Sequence, residues 1–201
     1  LAEPGSAGRE RTAAKGVSAT AGTRPEWAEV ISEHAVEDAT ARKLVNQLLA
    51  LEVASLAFCR LLERWARGEA VPGTPGRRQA ALRRAADRVE TALAGLERPL
   101  GRYLLELEAD SAEGRSWFGE PGRAELVDWE PVLDRAGVKV GPHRVAAVYL
   151  ELAVLVRALE GLSSQARWQS SVDRGSLWAG LFDLRENLLG RALDDLRAIA
   201  A

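Results

Sequence analysis

Leu44-Val45-Asn46-Gln47-Leu48-Leu49-Ala50-Leu51-Glu52-Val53-Ala54-Ser55-Leu56-Ala57-Phe58-Cys59-Arg60-Leu61-Leu62-Glu63-Arg64-Trp65 decides the fold class. The stretch contains neither Gly nor Pro. Leu44, Leu48, Leu51, Leu62 and Trp65 fall on one side of a helix, while Leu49, Leu56 and Leu61 fall on others. A helix apolar on more than one face needs neighbours around it. The segment therefore predicts a helix from Asp38 or Thr40 to about Arg67, placed centrally in a bundle.

The flanks extend this reading. Pro25 can open a first helix, in which Trp27, Val30, Ile31 and His34 share a face. Residues 1–24 are rich in Gly, Ala, Ser and Thr without apolar periodicity, and predict a flexible, disordered tail. Downstream, Val71-Pro72-Gly73-Thr74-Pro75-Gly76 is the clearest break, with Thr74 and Pro75 as an N-cap and first-turn pair. Leu82, Ala86, Val89, Leu93 and Leu96 then outline a third helix. Pro99 is expected to kink or interrupt it, leaving Leu100, Leu104, Leu105 and Leu107 in a short helix of their own.

Asp128 predicts the cap of a short helix ending at Gly137. Gly141-Pro142 opens a nearly all-apolar helix to about Glu160, the second central member. A Ser-rich connector is expected from Ser163 to Gly175. The last helix, capped by Ser176, carries Leu177, Trp178, Leu181, Leu184, Leu188, Leu196 and Ile199. The expectation is an all-α helical bundle of about five to seven helices, with residues 25–201 forming a single domain behind the 1–24 tail.

Composition narrows the function classes. Of 201 residues, 47% are hydrophobic but only 5% aromatic, so the core is expected to be mostly aliphatic. The net charge of −2 provides no global attraction to polyanions. Only Lys15, Lys43 and Lys139 of the 27 basic residues are lysines, a bias toward arginine that a GC-rich coding sequence produces by itself. The longest apolar runs, Leu48–Cys59 and Val145–Val156, each include a Glu and fall short of the ~20 residues that span a bilayer. No membrane span is expected. With no signal-type apolar stretch near residue 1, the expected location is the cytoplasm.

Catalytic motifs are not found. Cys59 is the single cysteine and sits in an apolar run, so intrachain disulfides and Cys-based zinc sites are excluded and the thiol reads as packing. Positions 31 and 140, three before His34 and His143, are Ile31 and Val140, which excludes the Glu-x-x-His pattern of di-iron bundles. A nonstandard cluster of His34, His143, Glu52 and Glu151 stays open. Pro72-Gly73-Thr74-Pro75-Gly76 lacks the Lys-Ser or Lys-Thr of a phosphate loop. No catalytic residue, metal site or cofactor is assigned.

Glu52 and Glu151 interrupt apolar runs, and Arg185 projects from the apolar face of the last helix, so the three are candidates for a buried polar site. Two binding readings remain. The first is a non-enzymatic bundle acting through a protein partner or self-association. Its candidate anchors are Trp117 and Phe118, in the loop over 110–124, and Trp168, in the Ser-rich connector. The alternative for the loop aromatics is that they fold back and cap the bundle. The second reading is a nucleic-acid-binding accessory protein. Residues 60–88 hold eight arginines against three acidic residues, and Arg77, Arg84 and Arg88 share one helix side.

Overall fold

The computed structural model describes residues 24–69, 72–108, 114, 116–118, 127–168 and 172–201. The tail expected over 1–24 lies outside these, apart from Arg24. Among the described residues every regular element is helical, and no strand is present. The chain is an all-α bundle of α1 (Glu26–Glu33), α2 (Asp38–Ala66), α3 (Pro75–Glu108), α4 (Trp129–Ala136) and α5 (Pro142–Trp168). A last continuous rod runs through α6 (Arg174–Leu184), a π-helical segment (Arg185–Ala192) and α7 (Leu193–Ala200).

Helix ends follow local chemistry. Asp128 caps α4 by accepting from the Glu130 N–H, and Gly137 closes it in the left-handed conformation, with φ 65°. Thr74 Oγ1 accepts from the Arg77 N–H at the start of α3. The start of α2 differs from expectation: its N-cap position is Glu37, with no side-chain cap. The last rod begins earlier than expected. Asp173 caps it, accepting from the Ser176 N–H at 2.8 Å and from the Ser176 hydroxyl at 2.7 Å. Ser176 is thus a first-turn residue held by the cap.

Two expected breaks are continuous helix. α3 runs unbroken past Pro99. A mid-helix proline costs about 3 kcal/mol, but Leu96, Leu100, Tyr103, Leu104 and Leu107 carry one buried stripe straight across it. Tertiary packing overrides the local preference. α5 continues through the expected connector to Trp168 because its serines satisfy groups within the fold. Ser164 Oγ donates back to the Glu160 carbonyl at 3.0 Å, and Ser163 Oγ accepts the Trp27 backbone N–H at 3.2 Å.

The core is one mostly aliphatic cluster to which every helix contributes, with Trp27, Phe58 and Tyr103 its largest fully buried side chains. α5 touches α1, α2, α4, α7 and the π segment, as befits a central helix. α2 packs on α1, α3, α4 and α5, yet it is not enclosed. Lys43, Asn46, Ala50, Val53, Ala57, Arg60 and Arg64 recur at three- and four-residue steps and are all exposed. α2 is also long and apolar enough, by length and composition, to cross a membrane, and its buried stripe of Leu44, Leu48, Leu51, Phe58 and Leu62 accounts for that apolarity within the bundle. Tyr103 ties α3 to α1: its buried hydroxyl donates to the Ile31 carbonyl at 2.6 Å. At the surface, Arg167 pairs with Glu26, Arg102 with Glu37 at 2.6 Å and Arg197 with Glu90 at 3.2 Å.

Candidate functional site

The three candidate anchors separate. Trp117 and Phe118 are each only 7% exposed and meet edge-to-face with centroids 6.3 Å apart. They fold back against the bundle, so the expectation of exposed anchors is corrected for both. Trp117 lies against Gly180 of α6, where a Cβ would overlap the indole. The cause is an available seat: glycine leaves a hollow on the helix surface and the ring fills it. Trp168, at the end of α5, is 87% exposed.

The polar candidates do not converge. Glu52 is half-buried; burial raises its pKa, the Trp27 indole opposes that, and the Glu160 charge adds to it. Trp27 Nε1 itself is buried and makes no hydrogen bond of normal geometry among the described residues. Burial also raises Glu151, opposed by Arg191. Arg185 is exposed at the start of the π segment. Each of the three faces its own surroundings, and no ion pair joins them among the described residues.

Nor do the nucleophile and ligand candidates assemble. The Cys59 thiol is buried, and desolvation together with Glu63 pushes its pKa up to about 12. His34 Nδ1 hydrogen-bonds the Val30 carbonyl at 2.9 Å, while His143 packs beside Gly141 at the start of α5. Among the described residues, no three of His, Cys, Asp and Glu gather around a point that can hold a metal ion.

What the structure brings together instead is one face of the α2–α3 pair. The two helices run antiparallel, and between them lies a groove of about 610 Å³. Its apolar wall is Leu49, Ala50, Val53, Ala57 and Ala92, with Thr91 beside them. Val53 is 66% exposed at its centre. Small side chains on both helices keep the groove open. Arg88 and Asp87 line one end, with Arg84 one helical turn further along α3.

The arginine cluster is partly consumed. Arg64 and Arg67 both bind Glu69, at 2.9 and 2.8 Å, and hold its carboxyl below the usual glutamate range. Arg77, Arg84 and Arg88 are exposed along α3 as expected, and among the described residues no acidic side chain pairs with them. The groove itself is absent from the expectations. Its only trace in the sequence is the run of small residues at 50, 54 and 57, which one chain of letters does not separate from ordinary core.

No protein-family model matches the chain, and neither a curated protein nor a solved structure is significantly similar to it.

Proposed function

We propose that this chain is a non-enzymatic bundle that binds a partner protein by seating an amphipathic helix of that partner in the α2–α3 groove. The observation that carries this reading is Val53, a large exposed aliphatic at the centre of a concave apolar wall. Two antiparallel helices with small facing residues form a trough, and helix-in-groove recognition uses such troughs. Arg88 and Asp87 line one end of the groove, and the exposed Arg84 and Arg60 stand one helical turn beyond on α3 and α2. This net basic end favours an occupant that carries acidic residues at the matching end.

Val53→Asp tests the reading. The position is exposed, so the fold tolerates the change, and a charge at the groove centre removes an apolar partner. Affinity chromatography with parent and variant proteins should yield a partner that Val53→Asp loses and Trp168→Ser keeps. A partner held equally by Val53→Asp refutes the groove. Sedimentation of both proteins shows whether self-association uses the same surface.

The nucleic-acid reading is favoured by one observation, the exposed Arg77, Arg84 and Arg88, with which no acidic side chain pairs among the described residues. It requires affinity that falls steeply with salt and disappears when the three are replaced by Glu.

A further inference from the structure

A second cleft lies on the α2–α3 pair, toward the start of α2, and its chemistry differs from the groove. It measures about 420 Å³ and is bordered by Lys43, Asn46, Gln47, Arg98 and Arg102, with Pro99 in its wall. Two sequence features shape it. Gly95 presents no side chain, and a Cβ there would meet Gln47 Oε1 at 2.6 Å. Pro99 supplies no N–H to the Gly95 carbonyl. At this level α3 presents no side chain from position 95, and the Gln47 amide lies over the gap.

No carboxylate borders the cleft. Arg102 is engaged outside it, with Glu37 at 2.6 Å and Glu106 at 3.6 Å. Lys43 and Arg98 pair with no acidic side chain among the described residues. Two cations facing one concavity repel, and a bound anion reverses that cost. The Asn46 and Gln47 amides provide neutral N–H donors beside the charges. A flat guanidinium, a point ammonium and two amides match a group with several acceptor oxygens and more than one negative charge. The volume exceeds a bare oxyanion and lies within the range of small-molecule pockets.

We propose that this cleft binds a phosphate-bearing small molecule, with Lys43 and Arg98 as its charged contacts and Asn46 and Gln47 as neutral donors. The inference does not depend on the partner groove.

Isothermal titration of the full chain with inorganic pyrophosphate, at constant ionic strength, tests it. Saturable binding at one site is expected. Lys43→Ala and Arg98→Ala should each weaken it about tenfold, the effect of losing one charge-assisted hydrogen bond. Both side chains are exposed, and circular dichroism checks that the variants fold. Arg42→Ala, exposed on α2 but outside the cleft, should leave binding unchanged. Three results overturn the proposal: no saturation at millimolar pyrophosphate; equal weakening by Arg42→Ala and Arg98→Ala, which marks diffuse surface charge; or binding of a single-stranded oligonucleotide without binding of pyrophosphate.

Discussion

Gly180→Ala should destabilise this protein, although the same change on an exposed helix stabilises it. Alanine gains about 1 kcal/mol over glycine in a helix interior. At position 180 the new methyl occupies space filled by the Trp117 indole. Expelling a large buried side chain forfeits on the order of 2–3 kcal/mol. The ring term wins, giving a net loss of about 1–2 kcal/mol. Trp117→Ala alone should cost about 3–5 kcal/mol, since the ring keeps only 7% of its surface exposed. Once the ring is gone, Gly180→Ala has nothing to displace and should recover about 1 kcal/mol. The sign of the Gly180→Ala effect thus reverses between the two backgrounds. Urea denaturation of the four proteins in this cycle measures it. If Gly180→Ala stabilises the parent protein, Trp117 does not seat on α6, and the assignment of the 116–118 segment as a cap is wrong.

Tyr103→Phe leaves the Ile31 carbonyl buried without its donor, which costs about 1–3 kcal/mol and should lower Tm by roughly 2–4 °C per kcal/mol in calorimetry; an unchanged Tm would refute the α1–α3 tie. Glu52→Gln should stabilise at neutral pH. Because the folded-state pKa of Glu52 is raised, the parent loses stability as pH rises through that value, whereas below the ordinary glutamate range both proteins carry a neutral side chain and the gain should vanish. Chemical denaturation at pH 3 and pH 7 would oppose this if the gain were pH-independent. Deleting Gly190 from the π segment should be tolerated to within about 1 kcal/mol and leave helical content intact, whereas one-residue deletions elsewhere in the rod rotate the following face by about 100° and should unfold it.

Helix existence was legible wherever a stripe and a cap agreed. Asp128 and Gly137 bracket α4 as their side-chain and backbone chemistry dictates. Pro99 and Ser163 misled because each carries a local signal against helix that only the neighbouring helix overrules. For Pro99 the answer lies in the buried stripe shared with the rest of the core, and for Ser163 in the Trp27 N–H of α1. Neither partner is encoded nearby in the chain. Trp117 was ambiguous for the same reason: whether a loop aromatic binds outward or caps inward depends on a hollow at Gly180, more than 60 positions away. The α2–α3 groove depends on which small residues face each other across two antiparallel helices. Periodicity identifies the face of each helix but not its opposite number.

The π segment is the instance where a sequence signal was present and has a physical reading. Leu184, Leu188, Ala192 and Leu196 are all buried and follow one another in three successive steps of four residues. In an α-helix each such step overshoots a full turn by about 40°. Three of them carry Leu196 about 120° away from Leu184, off the face that packs on α3 and α5. The wider turn over Arg185–Ala192 absorbs the excess and keeps all four on the core. Arg185 is exposed where this widening begins; on a regular wheel it lies about 100° from Leu184 and about 40° from Leu181, at the edge of the buried face beside the half-buried Trp178. Gly190, exposed and touching nothing within 4 Å of where its Cβ would lie, is the residue whose removal restores alternating steps of four and three. The π segment is therefore what one surplus residue requires when both flanking stretches must stay in register with the same core.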